Sequence, residues 1–197
     1  VGYCLSEGLI SHPAAIQLVQ HCGRGLPAPD ESESGEETTS RNRVQIRALP
    51  EAVRPGSDEA ARLVRSGCGA TGFEVGDLDL VPVASQAQVN QQVLLGLNAA
   101  MRQRQSVFQD IGAVHAAAVF TTSGDLVTLQ EDIGRHNAVD KAIGHCLLHW
   151  IELEDKIIAT TGRASYEMVS KAIRVGIPVV ASVSSPTSLA IQVAQEY

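Results

Sequence analysis

The second half of the chain alternates short apolar segments with amphipathic ones, and this order of elements constrains the fold more than any other feature. Residues 156–160 and 178–183 are continuously apolar and predict buried strands. Residues 165–175 between them repeat apolar side chains at helical spacing and are followed by Gly176, a common helix terminator. Pro186 predicts the start of a final helix, because proline is tolerated at the first helical position. The order predicts parallel pairing and an α/β fold, a three-layer α/β/α sandwich with a mixed sheet.

Three further elements precede this alternation. Residues 116–120 and 126–130 flank a Thr-Ser-Gly-Asp turn, which is a good hairpin signal. Residues 88–105 carry apolar side chains at helical spacing and predict an amphipathic helix. Asp132 is suited to be the N-cap of another helix. The apolar face of that helix is predicted to contain Val139, Ile143, Leu147 and Trp150.

The first 87 residues predict a smaller, mixed or β-rich part beside an α/β core formed by residues 88–197. Residues 44–49 alternate apolar and polar side chains and predict a short strand. Residues 23–42 are rich in Gly, Pro, Ser, Glu and Thr and predict a mobile linker. The linker holds five acidic residues of a chain whose net charge is −7, so the remainder is near neutral and no nucleic-acid surface is expected. Its acidity could bind a basic partner, but a solvated linker is the favoured interpretation.

Targeting signals and cysteine spacing indicate the compartment. No apolar run approaches the roughly 18 residues of a membrane span, and no charged-then-apolar leader opens the sequence. The four cysteines are Cys4, Cys22, Cys68 and Cys146. No pair has C-x-x-C spacing, and because no secretion signal is seen we expect reduced thiols in a cytoplasmic protein. The chain begins and ends inside segments that look structured, so further sequence is expected at both ends.

Polar residues are concentrated where a strand or hairpin passes into a helix, in residues 131–141, 160–168 and 184–188. Helix starts present unpaired backbone N–H groups and a partial positive charge, which suit a phosphate, and open α/β sheets bind ligands at such edges. Arg135 and Arg163 would add bidentate phosphate donors. The other candidate binding residues are His136, Asn137, Asp140, Lys141, Thr161, Ser165, Thr187 and Ser188. Ordinary helix capping and a solvated helix face are the alternative for each residue taken singly.

Cys68 differs from the other cysteines in its surroundings. It lies between Gly67 and Gly69 in a glycine-rich loop, which is poor material for a core. Backbone N–H groups of such a loop could stabilise a thiolate, which can attack a persulfide sulfur and then carry a persulfide itself. A buried, inert cysteine is the alternative. Cys146 falls near the apolar face of its predicted helix and is interpreted as a core residue.

Several sequence motifs point to one protein family. Residues 131–141 read E-D-I-G-R-H-N-A-V-D-K, and residues 161–168 fit the pattern [ST]-G-R-A-S-x-E-M. Residues 184–190 fit S-x-P-T-S-L-A, and residues 2–10 fit G-x-x-x-[ST]-E-G-[IL]-I. Residues 111–116 are similar to T-G-G-x-H-A, with departures at the first and third positions. Together these motifs resemble the FdhD/NarQ family of formate dehydrogenase accessory proteins.

The resemblance implies a sulfurtransferase that accepts persulfide sulfur from a cysteine desulfurase. It would pass that sulfur to the molybdenum cofactor, in its bis-guanine-dinucleotide form, for formate dehydrogenase. The family carries the sulfur on a C-x-x-C loop, which here has Cys68 at the first position and Thr71 at the second. A single cysteine can accept and donate sulfur but cannot form an internal disulfide, so a cofactor-binding chaperone without transfer activity stays open. The resemblance also implies a homodimer.

The family resemblance further implies a relationship to the cytidine-deaminase-like fold. Deaminases of that fold hold zinc at two helix starts, which correspond here to residues 133–135 and 162–165. Neither segment contains a zinc thiolate or the proton-shuttling glutamate, and each contains an arginine instead. We therefore expect no zinc and predict an anion site in its place.

Overall fold

A mixed four-stranded sheet organises the part of the protein that contains the predicted binding residues. The computed structural model describes residues 1–21, 44–54 and 79–197. The helices in these ranges are α1 (Gly2–Ser6), α2 (Gln91–Arg104), α3 (Ser106–Ile111), α4 (Arg135–Leu148), α5 (Tyr166–Arg174) and α6 (Ser188–Glu196). The strands are β1 (Ile16–His21), β2 (Val44–Ala48), β3 (His115–Thr121), β4 (Leu126–Asp132), β5 (Lys156–Arg163) and β6 (Val179–Ser184).

The strands of the large sheet lie in the order β4-β3-β5-β6. Strand β3 pairs antiparallel with β4 and β5, whereas β5 and β6 are parallel. Asp132 lies opposite His115, and Thr160 lies opposite both Ala117 and Ser182. The C-terminal ends of β4, β5 and β6 therefore lie at one edge of the sheet, where β3 begins. The three polar strand-to-helix turns are brought together at that edge.

Helices cover both faces of this sheet. Helices α4 and α5 pack on one face, where Val139 and Met168 join the buried core. Helix α2 packs on the opposite face through Leu97 and Met101. Helix α6 packs on the outside of α5. The predicted α/β class, with three layers and a mixed sheet, is confirmed.

Local sequence signals account for the bounds of two helices. Asn90 caps α2, because its side-chain oxygen accepts the backbone N–H of Gln92 at 2.8 Å. Helix α5 ends before Gly176, whose φ of 75° is in the left-handed region that favours glycine. The N–H of Gly176 then donates to Ile173 O and the N–H of Ile177 donates to Ala172 O, which is a Schellman motif. The predicted glycine stop is confirmed.

Helix α1 packs directly against α4 because Gly2 of α1 and Gly144 of α4 meet there. A Cβ on Gly2 would lie 1.8 Å from the carbonyl oxygen of Asp140, so no larger residue fits without moving α1. Leu5 is buried nearby in a cluster that Leu147 and Val175 also contact. Residues near the start of the chain are thus packed onto the helices of the core. The division of the chain at residue 87 stays a prediction.

Two predicted details of α4 are wrong. Its N-cap is Gly134, not Asp132, because Asp132 still pairs with β3 as the last residue of β4. Trp150 lies beyond the helix, with a positive φ of 56°, and is 76% exposed, so it does not belong to the apolar face. The chain has already left helical geometry at that point, which turns the indole towards solvent.

The predicted start of the last helix is also wrong. Helix α6 begins at Ser188, and Thr187 is its N-cap. The Thr187 hydroxyl accepts the backbone N–H of Ala190 at 3.2 Å, which satisfies one of the donors that a helix start leaves unpaired. Pro186 therefore precedes the helix instead of occupying its first turn.

The remaining described residues include a small antiparallel sheet of β1 and β2. It confirms the strand predicted at residues 44–49. Within the described ranges, no helix is both long and apolar enough to cross a membrane. The predicted linker of residues 23–42, Cys22 and the Cys68 loop lie outside the described residues.

Candidate functional site

A cavity of about 360 Å³ opens at the sheet edge where the strand-to-helix turns meet. We call it the first cavity. It is lined by Tyr3, Glu7, His115, Ile133, Gly134, Arg135, His136, Asn137, Asp140, Glu167 and Lys171. Helices α1, α4 and α5 and the start of β3 therefore all contribute to one polar cavity.

The Asp132 carboxylate holds the turn that leads into α4. It accepts the backbone N–H of Gly134 at 2.9 Å and the side-chain amide of Asn137 at 3.1 Å. It also pairs with the Lys141 ammonium at 2.6 Å. Burial acts to raise the pKa of Asp132, but Lys141, Gly134 and Asn137 outweigh it, and the net pKa is lowered. Asp132 is therefore an anion at neutral pH, and Lys141 is engaged in holding the turn.

Glu131 fixes a different element. Its carboxylate accepts the backbone N–H groups of Val107 and Phe108 at 2.9 and 2.8 Å. These are two of the unpaired donors at the start of α3, so Glu131 caps that helix from the neighbouring strand. Part of the segment 131–141 thus builds the structure around the cavity instead of facing it.

The Arg135 side chain packs over Gly162 and forms part of the cavity wall. A Cβ on Gly162 would lie 2.8 Å from Cδ of Arg135 and 3.0 Å from its Cβ. The glycine at the end of β5 therefore leaves room for the aliphatic part of the arginine. This contact joins two segments that the sequence analysis had grouped only by their position at helix starts.

His136, Ser165 and Glu167 form a polar group on the cavity wall. The Nε2 atom of His136 lies 3.5 Å from Oγ of Ser165 and 3.7 Å from Oε2 of Glu167. Interaction with His136 is the largest cause that lowers the pKa of Glu167 to about 2, against the opposing effect of burial and with further help from Ser165. Glu167 is therefore ionised at neutral pH and adds negative charge to the cavity.

Lys171 places a buried ammonium group in the same cavity, with only 4% of its side chain exposed. Its Nζ lies 2.6 Å from Oε1 of Glu7 and 2.8 Å from Oδ1 of Asp140. It also donates to Oγ of Ser6, which in turn donates to Asp140. The group joins α1, α4 and α5. Two carboxylates balance one ammonium, so this part of the cavity does not have a net positive charge.

Thr161 closes the sheet edge beside the cavity. Its hydroxyl accepts the backbone N–H of Ala116 at 2.9 Å, at a point where the register between β5 and β6 shifts. The Nδ1 atom of His115 lies 3.3 Å from the same hydroxyl. The hydroxyl therefore continues the hydrogen bonding of the ladder and helps to fix the His115 ring.

Three predicted binding residues lie on the exposed part of the same edge. Arg163, Thr187 and Ser188 are exposed and do not line the first cavity. The backbone N–H of Thr187 donates to the carbonyl of Ala164 at 3.0 Å. This bond holds the start of α6 beside the turn between β5 and α5, so a ligand could contact both.

The predicted residues thus form a cavity group and an outer group. The cavity group is Arg135, His136, Asn137 and Asp140, with Ser165 in contact with His136. The outer group is Lys141, Thr161, Arg163, Thr187 and Ser188. Ligand binding by either group stays a prediction.

The sequence analysis did not select several polar residues of the cavity. Lys171 was the clearest available signal, since it is a lysine in a helix whose other buried residues are uncharged. Ser6 and Glu7 lie in the motif at residues 2–10, and Glu167 lies in the motif at residues 161–168. His115 was not selected either, and it is half-buried in the cavity wall.

The two described cysteines have the environments of structural residues. Cys146 is fully buried, and burial raises the pKa of its thiol to about 11, which confirms the prediction that it is a core residue. Burial is also the main cause that raises the pKa of Cys4. Both thiols are therefore protonated at neutral pH and poorly nucleophilic.

Comparison with known proteins identifies the family. The family model described as FdhD/NarQ matches residues 1–197, which is the whole chain. This chain belongs to the FdhD/NarQ family. The family membership predicted from the motifs is therefore confirmed.

Curated relatives agree with this assignment. The chain is 36% identical to the sulfur carrier protein FdhD of Thermoplasma acidophilum, over 98% of this chain and 65% of that protein. It is 36% identical to the protein of the same name from Mycobacterium tuberculosis, over 98% of this chain and 71% of the relative. The chain spans less than two thirds of the length of several of these FdhD relatives, down to about half in the archaeal protein of Sulfolobus acidocaldarius, where the match covers 53% of that protein.

A solved structure supports the fold. The crystal structure of a putative formate dehydrogenase accessory protein from Desulfotalea psychrophila superposes with a TM-score of 0.67 and 22% sequence identity. The match covers 99% of this chain and 66% of that one. At this level of identity the likeness concerns the fold, and it agrees with the α/β architecture described above.

Proposed function

We propose that this chain belongs to a sulfur carrier that accepts persulfide sulfur on Cys68 and passes it to a molybdenum cofactor bound at the sheet edge. The cofactor is the substrate, in its bis-guanine-dinucleotide form, and the enzyme served is formate dehydrogenase. The observation that carries the proposal is the whole-chain match to the FdhD/NarQ family, whose curated members are named sulfur carrier proteins. The polar cavity built by the family motifs supports it.

The loading step needs one thiolate and no redox partner. The Cys68 thiolate attacks the terminal sulfur of a persulfide on a cysteine desulfurase. A new S–S bond forms at Cys68 while the S–S bond of the desulfurase breaks, and the desulfurase cysteine leaves as a thiolate. Cys68 is a better candidate for this role than Cys4 or Cys146, because burial keeps those two thiols protonated.

The sheet edge has groups suited to parts of a nucleotide-bearing pterin cofactor. Arg163 and the starts of α5 and α6 offer positive charge and backbone N–H groups for phosphate oxygens, and Arg135 lies beside them in the cavity. The carboxylates of the first cavity suit N–H donors of a heterocycle more than a phosphate. We therefore assign the phosphates to the exposed part of the edge and a ring or ribose to the cavity.

Thr71 favours a second candidate function. The family pattern has a second cysteine at this position, and threonine cannot form the disulfide that would release a persulfide internally. A chaperone that binds the cofactor without transferring sulfur would need the sheet edge but not Cys68. Sulfur loading separates the two functions. For either function we propose a homodimer as the working assembly.

The first experiment measures sulfur loading. The protein is incubated with a cysteine desulfurase and cysteine, and the intact mass and the peptide masses are then measured. We expect a gain of one sulfur atom on the peptide that contains Cys68 and no gain in Cys68→Ala, with Cys146→Ala as the matched control that still loads. Loading of Cys68→Ala would contradict the assignment, and no loading of the native chain would favour the chaperone.

A second experiment measures binding at the edge by calorimetry with guanosine diphosphate. Removing one charge-assisted contact costs about 1.5–3 kcal/mol, or roughly ten- to hundred-fold in affinity. Arg135→Ala and Arg163→Ala should each weaken binding by that factor, while Arg47→Ala, at an exposed position of β2, should not. Native-like affinity in both edge variants would place the nucleotide elsewhere.

A further inference from the structure

The loop that follows α4 holds the only tryptophan of the chain, Trp150. Helix α4 starts at the first cavity, and its 14 residues span about 21 Å, so this loop lies well away from that cavity. The Trp150 residue is 76% exposed. Leu148, the last residue of α4, is 56% exposed. Two bulky apolar side chains therefore face solvent at this end of the molecule.

Trp150 occupies a backbone position that favours glycine, with a φ of 56°. Its N–H donates to Leu147 O at 3.3 Å, and the N–H of Ile151 donates to Cys146 O at 2.9 Å. This is a Schellman motif with tryptophan at the left-handed position. Glycine would form the same turn without the strain that a bulky residue has there. Strain at a residue whose side chain is mostly in water is expected where that side chain contacts another molecule.

Concave surfaces lie beside the indole. A cavity of about 410 Å³ has Trp150, Leu147 and Val175 in its lining. A smaller one, of about 250 Å³, is lined by Trp150, Leu148 and residues of β1 that include Leu18. We call these two cavities, with Trp150 and Leu148, the Trp150 surface. Exposed apolar side chains around a tryptophan are typical of the centre of a protein–protein contact.

Two acidic residues set the charge of the larger of these cavities. Glu152 and Glu154 line it, both are exposed, and within the described ranges neither carboxylate forms an ion pair. No lysine or arginine of the described residues lines this cavity. Unpaired carboxylates beside apolar side chains are complementary to lysine or arginine on a partner. A second copy of this chain fits less well, because a twofold contact would bring the same carboxylates together.

We propose that the Trp150 surface is a docking site for a protein segment that presents a bulky apolar side chain between lysines or arginines. The apolar side chain packs against the indole, and the cations pair with Glu152 and Glu154. The inference does not depend on sulfur transfer, because the Trp150 surface and the first cavity share no lining residue.

Fluorescence of the single tryptophan tests this proposal directly. The probe is a synthetic peptide that has phenylalanine between pairs of lysines and no tryptophan, and its twin has glutamate in place of each lysine. We expect the lysine peptide to shift the Trp150 emission to shorter wavelength and to bind roughly tenfold or more tightly than the twin. In calorimetry, Trp150→Ala should weaken binding of the lysine peptide by a similar factor. Changing Glu152 and Glu154 together to Gln should weaken binding and reduce its salt dependence.

Two further variants separate recognition from a structural role. Leu95→Ala is the matched control, because Leu95 is 74% exposed on α2 and does not line either cavity of the Trp150 surface. It should leave peptide binding unchanged. Trp150→Gly removes the indole and relieves the left-handed strain, so it should abolish binding while the melting temperature stays the same or rises. A lower melting temperature for Trp150→Gly together with unchanged peptide binding would show that the indole is structural and would overturn the proposal.

The remaining outcomes assign the surface to other occupants and also overturn the proposal. Equal binding of the two peptides, or no emission shift with either, would show that the carboxylates do not select a basic segment. An emission shift that appears when the protein is concentrated without peptide, and that Leu148→Ala reduces, would assign the surface to a second copy of this chain. A shift with phosphatidylcholine vesicles and none with the lysine peptide would assign it to a lipid surface.

Discussion

Two lysines near the sheet edge each pair with an aspartate but differ in how far solvent reaches them. Lys171 has only 4% of its side chain exposed and has Asp140, Glu7 and Ser6 as partners. Lys141 pairs with Asp132, and half of its side chain is exposed. A buried charge is costly when its partner is removed, whereas solvent screens an exposed ion pair. The Lys171 group is therefore expected to hold α1, α4 and α5 together, and the Lys141 pair to contribute little to stability.

The largest expected effect on stability concerns the buried lysine, Lys171. Lys171→Met leaves the Asp140 and Glu7 carboxylates without their shared ammonium, at a position where Asp140 has only 11% of its side chain exposed. Removing one partner of a buried charge group costs about 3–5 kcal/mol of unfolding free energy. Chemical denaturation of the purified variant measures this loss.

The exposed lysine of α4, Lys141, provides the control for that variant. Lys141 also pairs with an aspartate, Asp132, but half of its side chain is exposed. Lys141→Met should cost only about 0–1 kcal/mol, because exposed ion pairs contribute little. Equal losses in the two variants would show that Lys171 is not the buried anchor described here.

A smaller effect on stability is expected at Thr161, at the sheet edge beside the first cavity. Thr161→Val removes the hydroxyl that accepts the N–H of Ala116, a residue with no exposed surface. An unpaired buried N–H costs about 1–3 kcal/mol, so the variant should lose that much unfolding free energy. Thr161→Ser keeps the hydroxyl and should lose clearly less. If the serine variant is as unstable as the valine variant, the methyl group contributes as much to stability at this edge as the hydrogen bond does.

Much of the fold could be predicted because its signals are local in sequence. The apolar strands, the helical spacing and Gly176 each depend on neighbouring residues, and all were found in the structure. Helix boundaries were harder to predict, because they also depend on residues distant in sequence. Asp132 carries a capping side chain, yet its pairing with β3 keeps it in the strand. Local preference was overruled there by the sheet.

The first cavity could be predicted only in part because its groups meet through the fold. Ser6 and Asp140 are 134 positions apart in the chain, so nothing in the local sequence links them. The residues of the 131–141 motif were found because they are contiguous, but the sequence could not show that Glu131 and Lys141 hold the turn while His136 faces the cavity.

The smallest expected effect concerns a pair that lies between the two extremes. Glu167 has 27% of its side chain exposed, and its pKa is lowered to about 2, chiefly by His136, from an ordinary value of 4.5. A lowered pKa stabilises the fold above the ordinary value, and that stabilisation is lost as the pH falls towards 2. Because solvent screens this pair, we expect a contribution of about 1 kcal/mol at pH 7. The difference in unfolding free energy between the native protein and Glu167→Gln should therefore disappear between about pH 4.5 and pH 2. A difference that stays constant over this range would mean that Glu167 acts through its shape and not its charge.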